Sequence, residues 1–165
     1  MSSEASINNG SKPSLKFIVD GMLGKLCRWL RFMGFDSTYA GCEISDNEII
    51  AISISQKRII VTSDRELSYR SIGSLFITEK SLKGQIKQVL SKYPQSPELF
   101  LSRCSLCNGE LESTEAVPIP GMIPESVYER KIPVKYCKDC GKYYWDGSHH
   151  SSILQTLNEL TGDIF

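Results

Sequence analysis

Three aspartates and four cysteines are the residues of this sequence whose types and spacing point most directly to chemistry. Asp20 and Asp64 each follow a short apolar run, and Asp46 opens a helical pattern after another candidate strand. In a parallel α/β sheet the residues just past the strands share one edge, where ligands bind, so three carboxylates can converge there. Carboxylates brought together repel one another unless cations neutralise them, which makes such a cluster a seat for magnesium or manganese. Ions of that kind activate water and stabilise both oxygens of a phosphodiester under attack. Thr62 and Ser63, just before Asp64, add hydroxyl hydrogen bonds. Each aspartate also suits a plainer role, ending a strand or capping a helix. Glu48 and Glu66 are nearby alternatives as ligands, although Glu48 also completes a capping box that starts at Ser45.

The cysteines fall into two pairs, Cys104-x-x-Cys107 and Cys137-x-x-Cys140, separated by 29 residues. That spacing suits four thiolates on one tetrahedral zinc, and four thiolates leave no open position, so the zinc is expected to be structural. Cys27 and Cys42 stand in apolar or small-residue surroundings, where a buried thiol acts as a small hydrophobe. Tyr143, Tyr144, Trp145, His149 and His150 follow the second pair and offer stacking surfaces and donors for single-stranded RNA, or simply cover a small zinc core.

The elements that must position these groups follow from hydrophobic patterning. Residues 15–19 read as a strand, 23–33 as a helix, 37–40 as a strand and 45–57 as a helix. Residues 58–63 and 74–78 read as further strands, with a helix over 81–93 that Pro94 stops. Strands alternating with helices predict an α/β fold, a parallel sheet flanked by helices over residues 15–97. Residues 98–165, with four prolines between the cysteine pairs, predict a small β-rich module and a terminal helix that packs back on one of the modules. On the first helix Leu23, Leu26, Trp29, Leu30 and Met33 share one arc. Lys25, Arg28 and Arg31 share another, a basic stripe placed to hold a phosphate backbone running past Asp20. Gly21-x-x-Gly24-Lys25 lacks the spacing and the following Ser/Thr of a nucleotide-binding loop.

Nineteen basic against nineteen acidic side chains give net charge zero, which excludes a strongly basic nucleic-acid coat. Residues 1–97 hold 13 basic and 9 acidic side chains and residues 98–165 hold 6 and 10, so electrostatics favours the first half for any nucleic acid. Residues 1–14 are rich in Ser and Asn without a hydrophobic core and are expected to form a disordered leader. No apolar run reaches the roughly 18 residues of a membrane span, so a soluble, intracellular and cytoplasmic protein without membrane contact is expected.

Two stretches together carry a resemblance: Val19-Asp20-Gly21-Met22-Leu23-Gly24-Lys25-Leu26-Cys27-Arg28-Trp29-Leu30-Arg31-Phe32-Met33-Gly34-Phe35-Asp36, and Thr62-Ser63-Asp64-Arg65-Glu66-Leu67. They resemble the PIN-like ribonuclease family named after the C-terminal domain of the Mut-seven exonuclease. Arg103-Cys104-x-x-Cys107-Asn108-Gly109, Cys137-x-x-Cys140-Gly141 and Tyr144-Trp145-x-Gly147-Ser148-His149 are similar to the zinc ribbon this family appends. The resemblance implies a PIN-like fold and divalent-metal-dependent cleavage of RNA, with the acidic cluster on Asp20, Asp46 and Asp64. Cys27 and Ser63 depart from the small residue and the Arg frequent at those positions. Sites of this type commonly use four acidic residues, so Glu48 or Glu66 is needed to complete the set. The expectation is therefore a ribonuclease acting on single-stranded RNA, with Mg²⁺ or Mn²⁺ on the aspartates and zinc on the cysteines. Lys25, Arg28, Arg31, Thr62 and Ser63 are its expected substrate contacts. A non-catalytic RNA-binding or complex-assembly module is the alternative.

Overall fold

The computed structural model describes residues 15–115 and 121–162; the expected leader lies outside the described residues. The apolar runs form four parallel strands, β1 (Lys16–Val19), β2 (Asp36–Tyr39), β3 (Ile59–Thr62) and β4 (Leu75–Phe76). Their order in the sheet is β2-β1-β3-β4, with Phe17 opposite Ser37 on one side and Ile59 on the other. The two central strands are covered on both faces, as parallel strands joined by helical crossovers must be. Phe17 and Val19 point into a core built with α1 (Gly24–Phe32), α4 (Leu82–Lys92) and α6 (Ser148–Gly162). Ile18 and Ile60 point the other way, against Ile49 of α2 (Asp46–Gln56) and Leu67 of α3 (Arg65–Arg70). Each large side chain enclosed this way contributes about 1.5–3 kcal/mol relative to exposure.

Local capping sets where the helices begin. Ser45 Oγ accepts from the Glu48 N–H while the Glu48 carboxylate accepts from the Ser45 N–H at 2.9 Å, the expected capping box. Ser81 opens α4 in the same manner, its hydroxyl accepting from the Gly84 N–H at 3.1 Å. Glu48 is thus engaged at the start of α2 by the residue that the sequence pairs it with.

The second sheet is antiparallel, β5 (Leu111–Thr114), β6 (Val134–Cys137) and β7 (Tyr143–Trp145), in the order β5-β6-β7. A short helix, α5 (Glu125–Glu129), crosses between the cysteine pairs and closes a small core of Ile123, Val127 and Val134. The ribbon does not stand apart from the first sheet. Phe100 and Leu101 before it, and Ile153, Leu157 and Leu160 of α6 after it, all enter the core that holds Phe17. The expected terminal helix therefore packs on the α/β unit, against α4. No helix among the described residues is long and apolar enough to cross a membrane.

Candidate active site and metal centre

Asp20 sits at the carboxyl end of β1, where its N–H donates to Val61 O of β3 at 3.0 Å. The Thr62 hydroxyl donates to Asp20 Oδ2 at 2.7 Å and accepts from the Asp64 N–H at 2.9 Å, so one side chain links the two aspartates. Thr62 is fully buried, and both of those bonds run to the aspartates. Its buried hydroxyl is engaged by these two partners and does not face solvent, which corrects the expectation that it touches substrate. Asp64 caps α3, Oδ1 accepting from the N–H groups of Glu66 at 2.6 Å and Leu67 at 3.1 Å. Capping and edge placement are not alternatives for Asp64, because one oxygen serves the helix while Oδ2 has no described hydrogen bond.

The loops that follow β1 and β2 touch. A side chain at Gly21 would bring a Cβ to 2.6 Å from Gly41 O, so only glycine allows this approach. The Tyr39 hydroxyl donates to Gly21 O at 2.8 Å and holds the loop from the other side. Asp46 stands at the start of α2, its carboxylate 3.3 Å from Arg70 Nη1, and Arg70 also donates to Asn47 Oδ1. Glu66 is 4.0 Å from the same Arg70 nitrogen. Each aspartate keeps one oxygen without a described hydrogen bond, a donor set chemically suited to a hard cation. Among the described residues, however, the group gathered closely enough to hold a metal ion is the cysteine quartet, and the three aspartates do not form such a group.

Along α1 the expected basic stripe divides. Lys25 and Arg28 are exposed, the Arg28 guanidinium lying 5.5 Å from the centre of the Phe32 ring. Arg31 is buried, and its expected role as a substrate contact is corrected by its partners. Its guanidinium donates to Ser37 O at 2.8 Å, Ser105 O at 3.2 Å and Leu106 O at 2.7 Å, joining α1 and β2 to the first cysteine knuckle. Asn108 makes a parallel link, accepting from the Ser37 N–H at 2.8 Å and donating to Asp36 Oδ1 at 2.8 Å. Ser63 lies half-buried beside Asp64.

The four cysteine sulfurs all lie within 4.8 Å of one another, with 3.5 Å between Cys104 and Cys140 and 3.4 Å between Cys107 and Cys137. A tetrahedral zinc with bonds of about 2.3 Å needs sulfur separations of about 3.8 Å, a value between the 3.4 Å of the Cys107–Cys137 pair and the 4.8 Å that bounds the quartet. Burial alone would raise the Cys104 pKa. The Tyr144 hydroxyl at 3.0 Å and the N–H groups of Cys107 and Leu106 outweigh that effect and pull it down to about 6, towards the thiolate a metal needs. At Gly109 a Cβ would stand 2.9 Å from Cys137 Sγ, which explains the glycine after the first knuckle. Of the other two cysteines, Cys27 is buried as expected, whereas Cys42 is exposed and is no part of a core.

The family model of the Mut7-C RNAse domain matches residues 15–157, from β1 through both knuckles into α6. The chain belongs to the Mut7-C RNAse domain family. Membership implies a ribonuclease-type function and an RNA substrate. A comparison with curated proteins gives no match. The match spans both the acidic edge and the cysteine quartet, so the Mut7-C region takes in the α/β sheet and the ribbon together. Within it, the sequence reading missed Tyr39 and Arg70. An OH or guanidinium whose partner is a loop carbonyl or a distant carboxylate leaves no spacing to detect.

Proposed function

We propose that this Mut7-C chain hydrolyses phosphodiester bonds of single-stranded RNA at the edge bearing Asp20, Asp46 and Asp64, with a divalent metal ion. The observation that carries this reading is the Asp20–Thr62–Asp64 link, a buried hydroxyl that donates to the Asp20 carboxylate and accepts from the Asp64 backbone N–H, tying together the carboxyl ends of β1 and β3. Magnesium or manganese bound by the free oxygens of these aspartates would supply an activated water and neutralise charge on the phosphate. Thr62 fixes the orientation of Asp20, and the α3 N–H groups fix that of Asp64. Lys25 and Arg28, exposed beyond Asp20 on α1, meet phosphates of the strand, and Ser63 offers a hydroxyl beside Asp64. Glu48 is taken by its capping box, so Glu66 is the better candidate for a fourth carboxylate. Zinc on Cys104, Cys107, Cys137 and Cys140 is structural.

The test is cleavage of an end-labelled single-stranded RNA with Mg²⁺ or Mn²⁺ by wild type and by the Asp20→Asn/Asp64→Asn protein. Asparagine caps a helix about as well as aspartate, so α3 survives the change. Products with 5′-phosphate ends from wild type alone are expected; undiminished turnover in the double variant refutes the site. The Arg70–Asp46 pair favours a second reading, RNA binding without turnover, because it neutralises one of the three carboxylates. That reading requires retained RNA binding and no metal-dependent cleavage by wild type.

A further inference from the structure

Between α1, the ribbon sheet and the start of α6 lies a cleft of about 630 Å³, a volume suited to a small-molecule-sized group. Its walls come from segments far apart in sequence: Arg28 and Phe32 from α1, Lys142, Tyr144 and Trp145 from the second knuckle and β7, and His149 from α6. Part of the wall is thus aromatic and apolar, and the charged groups on it are mostly cationic. Of the six basic residues after position 97, three line the cleft, Arg103, Lys135 and Lys142. Among the described acidic residues of the same stretch, Asp146 alone is on its walls, and it lies 3.2 Å from His150 Nε2.

Some of these cations already have partners. Lys135 donates to Leu101 O at 3.1 Å and Arg103 reaches Glu110 at 3.2 Å. Arg28 and Lys142 are exposed and have no carboxylate partner among the described residues. His149 is exposed on the first turn of α6, where backbone N–H groups have no intrahelical acceptor. Unpaired positive charge and free N–H groups beside an aromatic wall match one ligand chemistry well, a phosphate joined to a flat heteroaromatic base.

We propose that this cleft receives an unpaired nucleotide of the RNA strand, its base against the Tyr144 ring and its phosphate between Arg28, Lys142 and the start of α6. The inference rests on the ribonuclease reading for the identity of the polymer and extends it from the point of cleavage to the recognition of the strand. Arg28 ties the two together. It follows Lys25 by three residues on α1, about 4.5 Å along the axis, so a strand leaving the acidic edge past Lys25 meets Arg28 at the mouth of the cleft. The duplex form does not fit this arrangement, because a paired base has neither face free to lie on a protein ring.

The test is fluorescence anisotropy with a labelled ten-nucleotide single-stranded RNA and no added divalent ion, so that binding is read without turnover. Arg28→Glu and Lys142→Glu each raise Kd at least tenfold, while Arg130→Glu, the same charge change on the exposed end of α5 outside the cleft, leaves it within twofold. Binding is read without turnover, which separates this outcome from the fate of the cleavage site. Zinc content measured on every variant shows that the ribbon is intact. Equal Kd for Lys142→Glu, Arg130→Glu and wild type overturns the proposal even if wild type cleaves RNA. Equal affinity for a duplex of the same length overturns the unpaired nucleotide. Saturation by a mononucleotide at the strand's own affinity overturns the strand as the occupant, and the absence of any saturable RNA binding overturns the proposal outright.

Discussion

Replacing Arg31 by Met removes the guanidinium while keeping an unbranched side chain in its place. Three carbonyls lose the guanidinium: Ser105 O and Leu106 O are left without a described donor, and Ser37 O keeps the weak Cys27 thiol at 3.5 Å. Ser37 and Ser105 are buried, whereas Leu106 is exposed and its carbonyl can turn to water. An orphaned buried acceptor costs about 1–3 kcal/mol, so Ser105 O and the weakly held Ser37 O together cost about 2–5 kcal/mol. No carboxylate pairs with Arg31 among the described residues, so its own desolvation is relieved by the change and offsets part of that loss. The net expectation is destabilisation by about 2–4 kcal/mol, out of about 5–15 kcal/mol for a typical domain. For a chain of this size each kcal/mol moves the melting temperature by about 2–4 °C. Thermal unfolding of the zinc-loaded protein is therefore expected to move down by roughly 4–16 °C. Arg31→Lys recovers only part of this, since a single ammonium cannot address three carbonyls in a fixed fork. The salt dependence of RNA binding supplies the decisive contrast. Removing a side chain that neutralises a phosphate lowers the slope by about one, whereas removing a strut inside the protein leaves it unchanged. Unaltered melting together with a shallower salt slope would refute the buried-strut assignment and return Arg31 to the substrate side of α1.

Two other perturbations read the same junction and the cysteines. Burial would raise the Asp36 pKa, but hydrogen bonds from Arg58 and Asn108 and the charges of Arg58 and Arg103 outweigh it and hold the carboxyl below its ordinary value. The stability this adds is present above the unfolded carboxylate pKa and is lost as pH falls through the lower folded value. Asp36→Asn breaks a largely buried ion pair at 2.6 Å, which costs about 3–5 kcal/mol at neutral pH. The gap to wild type should close on acidification; a gap constant down to pH 2 in urea unfolding contradicts the pairing. For the cysteines, burial lifts the Cys27 thiol to about 11 despite the opposing charge of Arg31, so it is protonated and shielded. The zinc-loaded protein is expected to show one fast thiol, Cys42, and five after chelation, Cys27 reacting only on unfolding. Two fast thiols before chelation would place Cys27 outside the core.

What the sequence made legible is what local chemistry decides. The β-branched runs, the Ser45 capping box and the doubled Cys-x-x-Cys are each contained within a few residues, and the structure has them where patterning places them. Arg31 was misread because a helical wheel sees one helix, whereas its acceptors at 105 and 106 lie more than seventy residues away and are backbone carbonyls. One local sign existed. Cys27 lies one turn before Arg31 on the same face, is buried, and shares with it the carbonyl of Ser37. A buried Cys27 therefore drew its i+4 neighbour inside. The short α3 was also missed, since six residues are too few to show an apolar period, although Asp64 already marked its start. Asp46 shows the converse limit, for its pairing with Arg70 joins two helices whose approach no spacing encodes.

Charge is where averaging over sequence misled most. Counted by halves, the segment after position 97 is acidic and looks unfit for a polyanion. Folding sorts that charge: among the described residues of the segment one carboxylate lies on the cleft walls, against three of its six cations. The sorting depends on α1, which starts next to Asp20, presents Arg28 to the cleft, and ends with Phe32 O accepting from the Leu101 N–H at 2.7 Å. Through Arg31 the same helix is joined to the knuckle that carries Cys104 and Cys107. A metal that completes the knuckle thereby also fixes one wall of the cleft and the helix that leads from it to the acidic edge. A zinc bound there would need to do no chemistry to matter for the proposed strand path. A metal on the four cysteines would hold, across more than seventy residues of sequence, the knuckle against Arg31 and so against the helix that carries Arg28.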